Sequence, residues 1–183
     1  GGTNSRLILA DVSNDEKQII AEKNYASADY DGLIAVIEKF LSEHDITAAP
    51  GAACFAIAGP VESGVASVTN LPWVISEQQL TDVLRTEEVK LVNDLSAAAY
   101  GISELGADDM LLIQQGSGSK PQSQHASAVV VAAGTGLGAS HRVWLHGNYL
   151  VLSSEAGHTG FAPQTNQQTE LLAWLQKKHK HVS

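Results

Sequence analysis

The chain has 183 residues, of which 44% are hydrophobic and 5% aromatic, so it can bury a sizeable core as one or two domains. Its 11 basic and 20 acidic residues leave a net charge of −9. That excess argues against nucleic acid or an anionic membrane as the main partner, but not against a small anionic ligand, because backbone amides and a metal can supply the positive field. A single cysteine, Cys54, excludes an internal disulfide and a Cys-rich metal site. No signal peptide and no apolar run of transmembrane length is seen, so the default expectation is a soluble, cytoplasmic protein.

The chain opens on Gly1-Gly2-Thr3-Asn4-Ser5-Arg6, without a methionine. Such a turn joins strands, which predicts a missing strand before it. The far end, His179-Lys180-His181-Val182-Ser183, carries no cap or closing element. The chain is therefore expected to be a piece of a longer protein.

Leu7 to Ala10 and Ile19 to Ala21 flank the polar turn Ser13 to Lys17 and predict a β-hairpin. Leu33, Val36, Ile37, Phe40 and Leu41 repeat at helical spacing, so residues 30–43 are expected to form an amphipathic helix capped by Asp29 or Asp31. Ala53 to Ala58 is a buried strand ended by Gly59-Pro60, and Gly64 to Val68 a short strand leading into the loop Thr69-Asn70-Leu71-Pro72-Trp73. Ser76-x-x-Gln79 is a capping box for a helix that carries Leu80, Val83 and Leu84 on one face.

Val89 to Val92 is an apolar strand and Ala97 to Tyr100 the start of a small-residue helix, with Asn93 and Asp94 between them. Strand ends that open into helices are where α/β folds place their chemistry. An amide there can hydrogen-bond a hydroxyl, and a carboxylate beside it can accept a proton. Asp94 could equally be a helix N-cap.

Gly106 plausibly closes this helical region, and Met110 to Ile113 is expected to be a strand. Residues 116–124 are low in complexity and predict a mobile loop. Ala128 to Ala133 is the clearest buried strand, followed at once by Gly134-Thr135-Gly136-Leu137-Gly138. Ser140 to Leu145 and Tyr149 to Leu152, joined by His146-Gly147-Asn148, predict a second hairpin. A last helix is expected over residues 165–178, capped by Thr165 or Asn166, with Leu171, Leu172 and Leu175 inward.

A Gly-rich turn at a strand end lets backbone N–H groups approach a phosphate with no Cβ in the way. Neither Gly1-Gly2-Thr3 nor Gly134-Thr135-Gly136 fits the Walker pattern. Two such turns, each tied to a hairpin, are the mark of the actin-like ATPase superfamily. In Ser154-Glu155-Ala156-Gly157-His158-Thr159-Gly160-Phe161-Ala162-Pro163, Glu155 and His158 can face one side of a turn and suit a polyhydroxylated ligand. A zinc site lacks an evident third ligand, and a structural salt link remains the alternative. His44, His125, His141, His146, His179 and His181 are read as solvated or structural.

Taken in order, Gly1 to Leu7, Ala56 to Val61 with Thr69 to Trp73, Leu91 to Asp94, and Gly134 to Gly138 followed by Ser154 to Pro163 resemble the ATP-dependent bacterial glucokinases of the hexokinase/actin-like superfamily. The resemblance spans nearly the whole chain. It implies an α/β fold of the actin-like ATPase (ribonuclease H-like) type with mixed sheets: a small domain over 1–103 and the first part of a large domain over 104–183. It implies that Asp94 takes the proton from the sugar 6-hydroxyl. Asn93, Glu155 and His158 would bind sugar hydroxyls, with the Thr69-Asn70 loop closing on them. Gly1, Gly2, Thr3 and Asn4, with Gly134, Thr135 and Gly136, would hold the ATP phosphates, bridged by Mg2+, with no metal held by the protein itself. The partners implied are glucose and ATP, with a homodimer as a possible assembly.

The departures are specific. The Asp and strand that precede the family's first phosphate turn, a further sugar-binding Glu, an adenosine-binding region and a final helix are all absent from this sequence. Ala156 and Gly160 stand where the family often has Gly and Asp. The Cys-rich zinc motif of the related repressor and kinase family is missing. The 183 residues alone are therefore expected not to phosphorylate glucose. A non-catalytic sugar sensor and another sugar kinase of the superfamily are the rival readings; the first would not need Asp94, and the second would not share the Asn93-Asp94 and Glu155-x-x-His158 set.

Overall fold

The computed structural model describes residues 3–13, 17–116, 125–134 and 136–183. The chain divides into two compact units, Gly1–Ala97 and Ala98–Ser183.

The first unit opens with the expected hairpin. Strand β1 (Asn4–Asp11) pairs antiparallel with β2 (Gln18–Ala26), from Asn4 opposite Ala26 to Asp11 opposite Gln18, with a bulge at Leu9/Ala10. Much of the connecting turn lies outside the described residues. Helix α1 (Leu33–Glu43) buries Leu33, Val36, Ile37 and Phe40, the stripe its spacing predicts. Neither Asp29 nor Asp31 caps it: Gly32 stands at the N-cap without a side-chain bond, and Asp29 belongs to a short 3₁₀ turn, Ser27–Asp29.

Strand β3 (Ala53–Ile57) runs parallel to β7 (Val89–Asn93), with Ile57 opposite Asn93. A parallel pair needs a long crossover. Here it consists of the small antiparallel sheet β4 (Val61–Glu62), β5 (Val65–Ser67) and β6 (Val74–Ser76), then helix α2 (Glu77–Leu84). Ser63 and Gly64 have φ of 50° and 74°, the left-handed pair that makes a tight hairpin turn between β4 and β5. Ser76 Oγ accepts from Gln79 N at 3.2 Å, as the capping box predicts. Glu77 reaches the edge of β7 instead, accepting from Leu91 N at 2.9 Å. Val36, Ala66 and Leu80 are fully enclosed, with Trp73 and Ile75 beside them. A cavity of about 520 Å3 lies between β1 and β3, with Leu7, Leu9, Ile37, Phe40, Phe55 and Trp73 on its walls.

Helix α3 (Asp94–Gly101) carries the chain into the second unit. Two 3₁₀ turns follow, Ile102–Glu104 and Ala107–Asp109. Met110 to Ile113, expected as a strand, runs without ladder bonds and is largely exposed, Ile113 most of all at 91%. Apolar composition favours a strand only where a partner edge is available, and among the described residues none pairs with this one. The predicted loop at 116–124 lies outside the described residues except for its first, Gly116.

Strands β8 (Ala128–Ala133), β9 (Leu137–Leu145) and β10 (Asn148–Ser154) form an antiparallel sheet in that order. His146 and Gly147, at φ 50° and 87°, make the two-residue turn of the predicted β9–β10 hairpin. The sequence predicts β8 as a buried strand. It is an edge strand, with Val129 at 59% and Val131 at 60% exposure. Burial falls on the middle strand, where Ala139, Ser140 and Arg142 are covered. The Arg142 guanidinium hydrogen-bonds Ser103 Oγ and lies 3.5 Å from the centre of the Tyr149 ring. Helix α4 (Asn166–Leu175) is capped by Thr165, whose Oγ1 accepts from Gln168 N at 3.2 Å. Leu171, expected inward, is exposed, while Leu172 and Leu175 are half-buried. Among the described residues no helix is long and apolar enough to cross a membrane.

One ionic knot ties the hairpin to α1. Glu43, the last residue of α1, accepts from Lys23 Nζ and Tyr25 Oη, both at 2.8 Å, with Lys39 Nζ at 3.3 Å. Lys23 first, then Tyr25, hold its carboxyl at about 2, against an ordinary 4.5. A carboxyl lowered on folding stabilises fully above its unfolded value and loses that contribution as pH falls through the folded one. The melting temperature of the intact protein is expected to fall from pH 4.5 to pH 2 more steeply than that of Glu43→Gln. Parallel pH profiles for the two proteins in scanning calorimetry would remove Glu43 from the acid transition.

Candidate functional site

In the first unit the site is built where β7 meets α3. Asn93 Oδ1 accepts from Leu95 N at 3.0 Å and from Ser96 N at 3.2 Å, so Asn93 is the N-cap of α3. Asp94, one residue on, accepts from Leu95 N through Oδ1 at 2.8 Å. Its charge suits a helix N-terminus. The side chain is exposed, and Oδ2 has no hydrogen bond among the described residues. The two readings of Asp94 thus fall on different oxygens: one supports the helix, and the other is free to take a proton.

Asn93 is more committed than its sequence position suggests. Its Nδ2 donates to Gly59 O at 3.2 Å. Both acceptor positions and one N–H are in use, so it can offer a ligand one N–H and nothing else.

Gly59 follows β3 at φ 157°, where a Cβ would stand 2.2 Å from Ser67 O. Only glycine fits this approach of backbone to backbone. The preceding Ala58 O accepts twice from Thr69, from its N–H at 3.0 Å and its Oγ1 at 2.9 Å. The Thr69 hydroxyl proton is therefore committed, and its oxygen can still accept. Asn70 beside it is exposed, with no hydrogen bond among the described residues. Thr69, Asn93 and Asp94 are thus gathered around residues 58–60. Thr3 and Asn4 are not bonded to that group: Thr3 O accepts from Ser27 N at 3.0 Å, and Asn4 pairs with Ala26. Gly1 and Gly2 lie outside the described residues.

In the second unit, Gly134 N donates to Gly136 O at 2.9 Å, and the space a Cβ would take at Gly136 is open. Thr135 lies outside the described residues. Glu155 is the N-cap of the 3₁₀ turn Ala156–His158. A Cβ on Gly157 would fall 1.5 Å from Leu137 O, so this turn rests directly on the backbone of β9, one residue beyond Gly136. The close approach sets the turn that carries Glu155 and His158 against the start of β9. Glu155 Oε2 and His158 Nε2 are 3.7 Å apart, with side chains 83% and 76% exposed. His181 Nε2 donates to His158 O at 2.8 Å, and Phe161 N to Val182 O at 2.9 Å.

Two of these residues have no role in the sequence pattern, Gly59 at a strand end and Gly157 in its turn, while His181, expected as solvated or structural, makes a structural bond. The signal for the two glycines is the chemistry around them, a Gly-Pro after a buried strand and a Gly between Glu and His. For His181 there is no local signal, because its partner is 23 residues away. Among the described residues no three His, Cys, Asp or Glu side chains are gathered as a metal site.

The fold is mixed α/β, and solved structures of glucokinases share it. The crystal structure of a glucokinase from an Antarctic psychrotroph matches the whole chain with a TM-score of 0.80 and 32% identity, over 56% of its own length. The structure of Balamuthia mandrillaris glucokinase in complex with glucose matches 99% of the chain and 55% of its own, with a TM-score of 0.70 and 27% identity. The family model for glucokinase matches residues 1–183, and the chain belongs to the glucokinase family. Glucokinases from a Nostoc species and from Yersinia enterocolitica are each 38% identical to it, over 98% and 100% of this chain. The chain spans about half the length of these relatives, 52% and 54%.

The glycine contact under the Glu155–His158 turn can be tested on stability. Gly157→Ala places a methyl against a carbonyl that belongs to a strand, and is expected to cost about 1–3 kcal/mol. Gly101→Ala is the control: Gly101 has φ −62° and open space, so alanine there should be neutral or stabilising by about 0.5–1 kcal/mol. Urea denaturation of the intact variants reads both, and equal stabilities would mean that the turn moves off β9 at no cost.

Proposed function

We propose that the intact protein is a glucokinase that transfers the γ-phosphoryl group of ATP to the 6-hydroxyl of glucose. The observation that carries the reading is the β7–α3 junction: Asn93 takes over the cap, and a free carboxylate oxygen of Asp94 is left at the helix N-terminus. Family membership, and relatives that are themselves glucokinases, support it.

In this reading Asp94 Oδ2 accepts the 6-hydroxyl proton as the oxygen attacks phosphorus. Asn93 donates its remaining N–H to a sugar oxygen. Glu155 accepts from sugar hydroxyls, and His158 can donate or accept. Thr69 Oγ1 and Asn70 add contacts from their loop. Gly1 to Asn4 and Gly134 to Gly136 hold the ATP phosphates, and the open space at Gly136 suits a bulky anion close to the backbone. Mg2+, held through the ATP phosphates rather than by a protein cage, would supply positive charge to the transferring group. Phosphoryl transfer asks mainly for positioning and charge stabilisation. The architecture proposed is the actin-like ATPase fold, with residues 1–103 in the small domain and 104–183 beginning the large one. The setting proposed is the cytoplasm.

Asp94→Asn keeps an oxygen for the Leu95 N–H and removes the base. Turnover in a coupled ADP-release assay should fall roughly 10²–10⁴-fold, with a smaller change in glucose affinity. Near-normal turnover would confine Asp94 to the first turn of α3.

His158→Ala removes one sugar contact and is expected to weaken glucose binding by about 1–3 kcal/mol while sparing ATP. Isothermal calorimetry with each ligand separates the two. An equal loss for glucose and ATP would mean that the turn, rather than the sugar contact, had been disturbed.

A further inference from the structure

Glu155 and His158 face solvent along most of their side chains, and their contact at 3.7 Å is too weak and too screened to hold either in a fixed direction. Their direction must come from the backbone beneath them. On one side the turn is fixed by Gly157 against Leu137 O. On the other side two bonds cross to the segment 181–182, which belongs to no helix or strand. His181 Nε2 meets His158 O at 2.8 Å, and Phe161 N donates to Val182 O at 2.9 Å.

We propose that His181 is a positioning residue for sugar binding, which clamps the His158 peptide and thereby aims the Glu155–His158 pair. This rests on the glucokinase reading of that pair. A carbonyl oxygen only accepts, so Nε2 of His181 carries the proton. Neutral or charged, the ring donates the same bond. The bond fixes the plane of the peptide that follows the His158 side chain. With Gly157 held from below, both torsions that set the direction of the His158 side chain are restrained. The Phe161–Val182 bond lies three residues further on and stops the turn from peeling away at its far end. The ring sits over Gly160, where a Cβ would stand 3.9 Å from His181 Cε1, in ordinary contact.

The role differs from a sugar contact, because the group that His181 touches is backbone. A glutamine at this position also presents an N–H at the end of a side chain of similar reach.

The test uses the intact protein with His181→Ala and His181→Gln, and reads three quantities. His181→Ala is expected to raise the glucose KM about 3- to 10-fold, the size of one hydrogen bond, and to leave the ATP KM unchanged. Amide hydrogen exchange at Phe161 should become faster in the same variant. His181→Gln should restore both. An unchanged Phe161 exchange rate in His181→Ala, or an unchanged glucose KM, overturns the proposal. So does a raised KM that glutamine fails to restore, which would assign the imidazole to direct sugar contact. If the wild-type protein neither binds nor phosphorylates glucose while Phe161 exchange still follows residue 181, the clamp stands and the glucokinase reading falls.

Discussion

The side chain of Asn93 is the constraint on which the first unit's site depends. It closes the N-terminus of α3 with two accepted bonds and holds the turn after β3 with a donated one. No other uncharged side chain of that length can accept from two backbone amides and donate to a carbonyl at once. The parallel pairing of β3 and β7 places Ile57 opposite Asn93, so the two strand ends finish side by side and the bond to Gly59 O becomes short enough to form. Asp94 then inherits a fixed position one residue along, with its helix already capped. A carboxylate relieved of the main capping duty can serve chemistry, and this is how one dipeptide supports both structure and a candidate base.

Two glycines do for the backbone what Asn93 does with its side chain. Gly59 lets the chain leaving β3 pass against Ser67 O, and Gly157 lets the Glu155–His158 turn settle on Leu137 O. In each case a Cβ would overlap a carbonyl that belongs to a neighbouring strand and cannot swing away. Each contact sits beside the polar residues proposed to meet the sugar. The polar groups are otherwise exposed, and exposed side chains hold no fixed direction by their own interactions. The order of these turns therefore resides in main-chain contacts, supported by a few bonds such as Thr69 to Ala58 O and His181 to His158 O.

Apolar sequence and burial part company in the second unit. Met110 to Ile113 and Val129 to Val131 are apolar and read as strands, yet the first forms no ladder and the second lies at a sheet edge. Leu171 of α4 follows the same pattern. Hydrophobic runs state that a segment favours being covered, but not which neighbour covers it. In the first unit α1 and α2 lie against strands of the same unit and Val36 and Leu80 are wholly enclosed, yet there too β3, expected as a buried strand, leaves Cys54 and Ala56 exposed, because one of its faces is uncovered.

The sequence by itself determined the local elements: both hairpins, the α1 stripe, the caps at Ser76 and Thr165 and the β7–α3 junction. Each rests on spacing or on turn chemistry that acts within a few residues. It also marked the polar residues beside those turns as candidates for binding and proton transfer. Tertiary structure alone decided what those residues can still offer. Asn93 retains one N–H because Gly59, 34 residues away, takes the other. Thr69 retains an acceptor because Ala58 O takes its proton. Asp94 keeps a free oxygen because Asn93 caps in its place, and His181 acquires a partner 23 residues away. A sequence pattern specifies which groups a residue carries. Which of them remain unpaired is fixed only when distant backbone comes within hydrogen-bond reach.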